Sequence, residues 1–306
     1  MKNLQLLFFF LILSSSTLLF PQQNGFIKTD DGVIQYITYG SGYPILIING
    51  GPGMNCEGFA SLAELLKGNN QIILYDQRGT GESKLIKVDS TTVTMDLMAK
   101  DIETLRTHLK IKDWIVLGHS FGGILATYYA SKYPESINGM ILSSSGGIDM
   151  DLFTKVGNTI KSRLNKSEKD SLDYWNKKID SGDTTYYAKY QMAKALAPAY
   201  LYDKKYVPLI AERLTQGNSE INGLVFKDLF RIKYDCKGPL RNFKKPVLII
   251  QGRQDIITKN IADKEHSVLK NSRIVIINKC SHYGWLEQKD NYISALENFI
   301  RSTPKG

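Results

Sequence analysis

Short apolar runs punctuate the chain, and their spacing sets the frame for the rest. Pro44-Ile45-Leu46-Ile47-Ile48 is continuous rather than alternating, the pattern of a strand buried on both faces. Similar runs recur at Gln71–Tyr75, Trp114–Leu117, Met140–Ser143, Pro246–Gln251 and Arg273–Ile277, whereas Gly32–Tyr39 alternates like one arm of a hairpin. Helix-length segments separate most of them, at Ser61–Gly68, Thr94–Lys110 and Ile261–Lys270. In the second of these, Met95, Met98, Ile102, Leu105 and Leu109 recur at helical spacing behind a capping threonine, Thr94. Strands alternating with helices predict an α/β fold with a mostly parallel, doubly wound sheet.

The alternation stops between about Gly146 and Lys244. That stretch is rich in Lys, Asp and Tyr, has helical periodicity and contains no run resembling a buried strand. Its length and its place between two strand runs predict an inserted helical cap, 146–244, on a single sheet domain formed by 25–145 and 245–302. The N-terminus differs in kind. Lys2 precedes Leu6–Leu13, three serines and Thr17-Leu18-Leu19-Phe20. This is the pattern of a secretory signal over 1–20, or of an uncleaved anchor if the apolar residues are counted through the serines. Either implies an exported protein, with membrane contact only through this segment. No cysteine lies there to take a lipid.

Composition narrows the classes. The chain has 306 residues, 42% of them hydrophobic, enough for a large core. Its 39 basic and 30 acidic residues leave a net charge of +9, but the lysines are scattered and form no basic stripe interleaved with aromatics. Nucleic acid is therefore not an expected partner. Three cysteines, Cys56, Cys236 and Cys280, are too few and odd in number for a disulfide framework, and none has the spacing of a metal site.

Candidate chemistry centres on Gly118-His119-Ser120-Phe121-Gly122, which follows the apolar run ending at Leu117 and opens a helical stretch. A serine on a sharp strand-to-helix turn has its hydroxyl pushed into the open, and glycines flank it where a Cβ would strike the neighbouring strand or helix. A serine hydroxyl needs a base and a group to orient that base. Of the four histidines, His108 and His266 fall inside predicted helices among charged residues, and His119 is expected to turn toward packing contacts. His282 remains, on a loop after the last strand run. Asp255, just past the strand ending at Gln251, fits the orienting carboxylate; Asp149 and Asp151 are the competitors. The loop Asn49-Gly50-Gly51-Pro52-Gly53 after an earlier strand could bring a second backbone N–H to a developing oxyanion, beside that of Phe121. No Gly-Lys-Ser/Thr or GxGxxG is present, so no nucleotide cofactor is expected, nor any other cofactor or metal.

Gly50-Gly51-Pro52-Gly53, Asp76-Gln77-Arg78-Gly79-Thr80-Gly81-Glu82-Ser83, Gly118 to Gly123, Gly252-Arg253-Gln254-Asp255 and His282 to Glu287 stand in the order seen in α/β-hydrolases. The first two together resemble the proline iminopeptidase branch. That resemblance implies Ser120 as nucleophile, Asp255 as acid, His282 as base, and Gly51 and Phe121 as oxyanion donors. It also implies acidic cap residues that hold a substrate's free α-amino group. Glu212 and Glu220 are the candidates, although the branch's tryptophan-containing cap motif is not recognisable here. Departures include Asn49 and Phe121, where the branch usually has histidine and tryptophan, and Gly284 where proline is common. Asp76–Ser83 is expected to be a structural turn, with Arg78 holding nearby carbonyls or carboxylates. The expected substrate is a small peptide, giving an aminopeptidase for N-terminal proline or another small residue. A carboxylesterase acting on small esters and a non-catalytic binding protein are the alternatives.

Overall fold

The computed structural model describes residues 22–305 apart from residue 155. Residues 1–20, expected from the sequence to be an export signal or anchor, lie outside them. Among the described residues, eight strands form one sheet: β1 (Gln23–Thr29), β2 (Gly32–Tyr39), β3 (Tyr43–Ile48), β4 (Asn70–Tyr75), β5 (Trp114–His119), β6 (Ile137–Ser143), β7 (Val247–Gly252) and β8 (Ser272–Ile277). Their order is β1-β2-β4-β3-β5-β6-β7-β8, antiparallel through β1, β2 and β4 and parallel from β4 onward. Among the described residues, twelve α-helices accompany them: α1 (Ala60–Leu66), α2 (Met95–His108), α3 (Phe121–Lys132), α4 (Val156–Arg163), α5 (Lys166–Asp180), α6 (Tyr186–Leu196), α7 (Val207–Thr215), α8 (Ser219–Arg231), α9 (Lys237–Leu240), α10 (Lys259–Val268), α11 (Gly284–Glu287) and α12 (Lys289–Ser302).

The continuous apolar runs are explained by burial on both faces. Leu46, Ile48, Ile73, Val116 and Leu142 pack on one side with residues of α2 and α3. Ile45, Ile47, Ile72, Ile115, Leu117 and Ile141 pack on the other with α1 and α12. Thr94 caps α2 as its position suggests, accepting the N–H of Leu97 at 3.2 Å. One strand is not foreseen by the hydrophobic pattern: β1 is an edge strand whose residues are mostly exposed, and it is held by its hairpin register with β2 rather than by an apolar face.

Between β6 and β7, the described residues form no strand beyond an isolated bridge from Asp149 to Asp235, and α4, α6, α7 and α8 supply residues to the cavity at the carboxyl ends of the parallel strands. Those strand ends deliver Asn49–Gly53, Ser120, Asp255 and His282 to one side of the sheet, where open α/β sheets place their sites. Arg78 binds Asp101 through Nε and Nη2, at 2.8 and 2.7 Å, and donates to the carbonyl of Thr92. Asp76 accepts the N–H groups of Cys56 and Glu82. The Asp76–Ser83 segment thus has the structural role its composition suggests. All three cysteines are buried free thiols.

Candidate active site

Ser120 joins β5 to α3 with φ 56° and ψ −121°, a backbone conformation few L-residues adopt. Its geometry is over-determined by neighbours. Ser120 donates its N–H to the Ser143 carbonyl at 3.1 Å, and its own carbonyl accepts from Gly123 and Gly146, both at 2.9 Å. The flanking glycines have a steric reason. A Cβ on Gly118 would lie 2.3 Å from the Gly122 carbonyl oxygen, and one on Gly122 would lie 2.0 Å from that of Ile48.

His282 lies on the loop between β8 and α11. Its Nδ1 is 2.8 Å from Asp255 Oδ1, and both side chains are buried. Asp255 follows β7, and its Oδ1 also accepts the N–H of Ile257 at 3.1 Å. With Nδ1 carrying the proton toward Asp255, Nε2 keeps the lone pair that a base requires. The competing aspartates are engaged elsewhere. Asp149 pairs with Lys237 and Lys264 at 2.7 and 2.9 Å, and Asp151 pairs with Lys264.

Ser120 and His282 line one cavity of about 400 Å³ together with Gly50, Gly51 and Phe121. A Cβ on Gly50 would lie 2.6 Å from that of Ser120, so the glycine loop is in contact with the serine. Gly51 turns through φ 67°, and Phe121 is the first residue of α3, where the helix N–H groups have no intrahelical acceptor. Asn222 Nδ2 on α8 donates to the Pro52 carbonyl at 2.9 Å, and Asn218 N–H to that of Gly53 at the same distance, fastening this loop to the helical segment.

His119 does not turn away from the serine as expected: it is buried, yet it lines the same cavity. Its ring centroid is 4.6 Å from that of His282, and its Nδ1 lies 3.2 Å from Ser143 Oγ. Burial, then the neighbouring His282 and Arg213, pull it well below the ordinary imidazole range, so it is neutral. His108 and His266 lie outside the cavity.

The remaining lining is mostly apolar, including Leu152, Phe153, Val156, Ile160, Met192 and Phe226. Glu212 and Glu220 do not belong to it. Glu212 is exposed and bonded to the Tyr186 hydroxyl, and Glu220 is exposed in the first turn of α8. Both stand on the solvent sides of their helices, which turn Ile210, Arg213, Ile221 and Val225 inward. Among the described lining residues there is no carboxylate; the fixed charge is a cation, Arg213. Sequence reasoning did not single out Arg213, because an arginine one position from a glutamate in an amphipathic helix reads as a solvated charge.

The alpha/beta hydrolase fold family model matches residues 43–288. A proline iminopeptidase of Saccharolobus solfataricus is 30% identical over 281 residues, covering 87% of either chain. Among solved structures, an esterase from Exiguobacterium antarcticum superposes with a TM-score of 0.70 at 19% identity, covering 92% of this chain and 100% of the other. A Mycobacterium smegmatis proline iminopeptidase also has a TM-score of 0.70, at 20% identity and with 92% and 98% coverage. The two structures share the fold, while the sequence match carries the kinship closer: this chain belongs to the α/β-hydrolase family, in its proline iminopeptidase branch.

Proposed function

We propose that the protein is a serine hydrolase that cleaves an ester or amide through an acyl-enzyme on Ser120. The observation that carries this reading is the buried Asp255–His282 pair, which opens with Ser120 onto one cavity. Ser120 Oγ bonds to the substrate carbonyl carbon as His282 Nε2 takes the hydroxyl proton. The tetrahedral oxyanion is met by the N–H groups of Gly51 and Phe121. The bond to the leaving oxygen or nitrogen breaks as that atom takes the proton back from His282. Water, deprotonated by His282, then attacks the acyl carbon, and Ser120 leaves with the proton.

The apolar lining and the lack of a carboxylate among its described residues favour an acyl group without a free amine, because a desolvated ammonium needs an anionic partner. This favours the ester-type reading over aminopeptidase action. Release of an N-terminal residue is the second reading, supported by the names of the relatives. Residues 146–244 serve as the cap over the cavity, and residues 1–20 as an export signal or anchor.

Short p-nitrophenyl esters are assayed beside prolyl and alanyl arylamides, with Ser120→Ala as control and a fluorophosphonate to label Ser120. Ester turnover that needs Ser120 is the expected result, and efficient arylamide turnover would restore the aminopeptidase. No serine-dependent turnover and no labelling would leave a binding protein. Mass analysis of the exported chain tests cleavage near residue 20.

A further inference from the structure

Arg213 is an uncompensated cation at the cavity. Only 8% of the residue is exposed, yet no carboxylate among the described residues lies within ion-pair distance of its guanidinium. Nη1 donates to two neutral oxygens, Asn55 Oδ1 at 3.0 Å and Gln216 Oε1 at 2.7 Å, and Nη2 has no hydrogen-bond partner among the described residues. The group lies over the ring of Phe59, 5.8 Å from its centroid. Asp76 and Glu57 act on it through space, but Asp76 spends its oxygens on backbone N–H groups and Glu57 is exposed.

Arg78 shows the contrast. It is equally buried, and Asp101 closes it on two nitrogens with Asp31 on a third. A buried cation left with neutral partners is unfavourable for folding alone. Room has nevertheless been kept for Arg213: a Cβ on Gly58 would lie 2.6 Å from its Cδ and Nε and 2.9 Å from its Cζ. Guanidinium groups pair best with planar, two-oxygen anions.

We propose that Arg213 binds a carboxylate of the substrate, so that the enzyme acts on esters or amides whose acyl or leaving portion carries one. This rests on the serine-hydrolase reading for turnover, though the anion site itself does not. The apolar lining takes the carbon chain between the scissile carbonyl and the carboxylate. Two sources share this chemistry: a half-ester of a dicarboxylic acid, with the carboxylate on the acyl side, and a short peptide, with a terminal carboxylate on the leaving side.

The test compares matched pairs within each variant, so that a general loss of activity cancels. The pairs are mono-p-nitrophenyl glutarate with p-nitrophenyl valerate, and alanylglycine with alanylglycinamide, in wild type, Arg213→Lys and Arg213→Met. Wild type is expected to prefer the anionic member of one pair by roughly tenfold or more in kcat/KM. Arg213→Met abolishes the preference and Arg213→Lys retains part of it, and whichever pair responds identifies the side that carries the carboxylate. Calorimetry of glutarate binding to Ser120→Ala, and to Ser120→Ala with Arg213→Lys, reads the site without catalysis and separates its failure from that of the serine reading. Equal ratios in wild type and Arg213→Met for both pairs, or glutarate binding unchanged by Arg213→Lys, would overturn the proposal.

Discussion

Nδ1 of His282 lies 2.8 Å from Oδ1 of Asp255, with both side chains closed off from solvent. A carboxylate there fixes the imidazole tautomer and stabilises the imidazolium formed on proton transfer. Asp255→Asn turns an N–H donor toward Nδ1 or leaves it weakly held, so the lone pair faces the wrong way. The expected result is a fall in kcat of about 10³–10⁴-fold with KM changed little. Ester kinetics, with circular dichroism to show an intact fold, check it; near-normal kcat would remove Asp255 from the proposed triad.

Gly50 packs directly against the serine. A methyl group there would sit 2.6 Å from Ser120 Cβ and 2.9 Å from the His119 carbonyl oxygen, and the backbone oxygen cannot step aside. Gly50→Ala therefore displaces the glycine loop from its place against Ser120. Loss of a single oxyanion donor costs about 10²–10³ in kcat, and a loss of at least that order is expected here. Fluorophosphonate labelling of Ser120 slows in parallel. Unchanged labelling would mean that the loop does not help to stabilise the oxyanion.

The parts of the molecule that were legible in its sequence are those where one local requirement excludes most residues. Gly118 and Gly122 are forced by carbonyls 2.3 and 2.0 Å from where a Cβ would be, and the five-residue pattern around Ser120 records that crowding directly. Apolar runs reveal β3 through β7 because both faces of those strands are covered, and β8 because its apolar residues, mostly part-buried, pack against the same two layers. β1 escapes because an exposed edge strand needs no such run. Arg213 escapes for another reason. Its meaning comes from which way α7 faces over the cavity and from the lack, among the described residues, of a carboxylate within ion-pair distance, and neither is a property of residues adjacent in the chain. The same holds for Glu212 and Glu220, whose charge suggested a role that the orientation of α7 and α8 does not support.

Glu265 on α10 predicts a pH dependence. It is 1% exposed, its Oε1 has no partner among the described residues, and burial lifts its pKa from 4.5 to about 8. Its folded-state pKa is raised above the unfolded value, so its contribution is fully present below about pH 4.5. It is lost as pH rises toward about 8, because the unfolded chain gives up the proton first. Glu265→Gln lacks this ionisation. Its stability relative to wild type should rise with pH across that window, by up to about 1.4 kcal/mol per pH unit. Urea melts at several pH values measure the difference; a constant offset would mean that Glu265 ionises normally in the folded protein.

Glu287 joins the helical segment to the loop that carries His282. Oε1 accepts the backbone N–H groups of Tyr202 and Asp203 at 2.5 and 2.8 Å, and Oε2 accepts that of Ser281 at 2.6 Å. The His282 N–H adds a bond to the Tyr200 carbonyl at 3.1 Å, while Arg163 donates to Ala199 O and Ser281 Oγ. One carboxylate thus holds residues 202–203 of the segment between β6 and β7 against the residue before His282. Glutamine cannot replace it, because its –NH₂ would confront a backbone N–H where Glu287 presents an oxygen. Glu287→Gln is expected to free either Ser281 or the Tyr202–Asp203 turn, and His282 loses a restraint in the first case. Hydrogen exchange should then quicken at 200–203 and 281–283 while β3 and β5 stay protected, and kcat should fall by about tenfold if the loop shifts by a fraction of an ångström. Glu287→Asp retains the charge but is one methylene shorter, and should lie between glutamine and wild type. Exchange that quickens evenly across the whole chain would identify Glu287 as a general stabilising residue rather than a tether between residues 202–203 and the His282 loop.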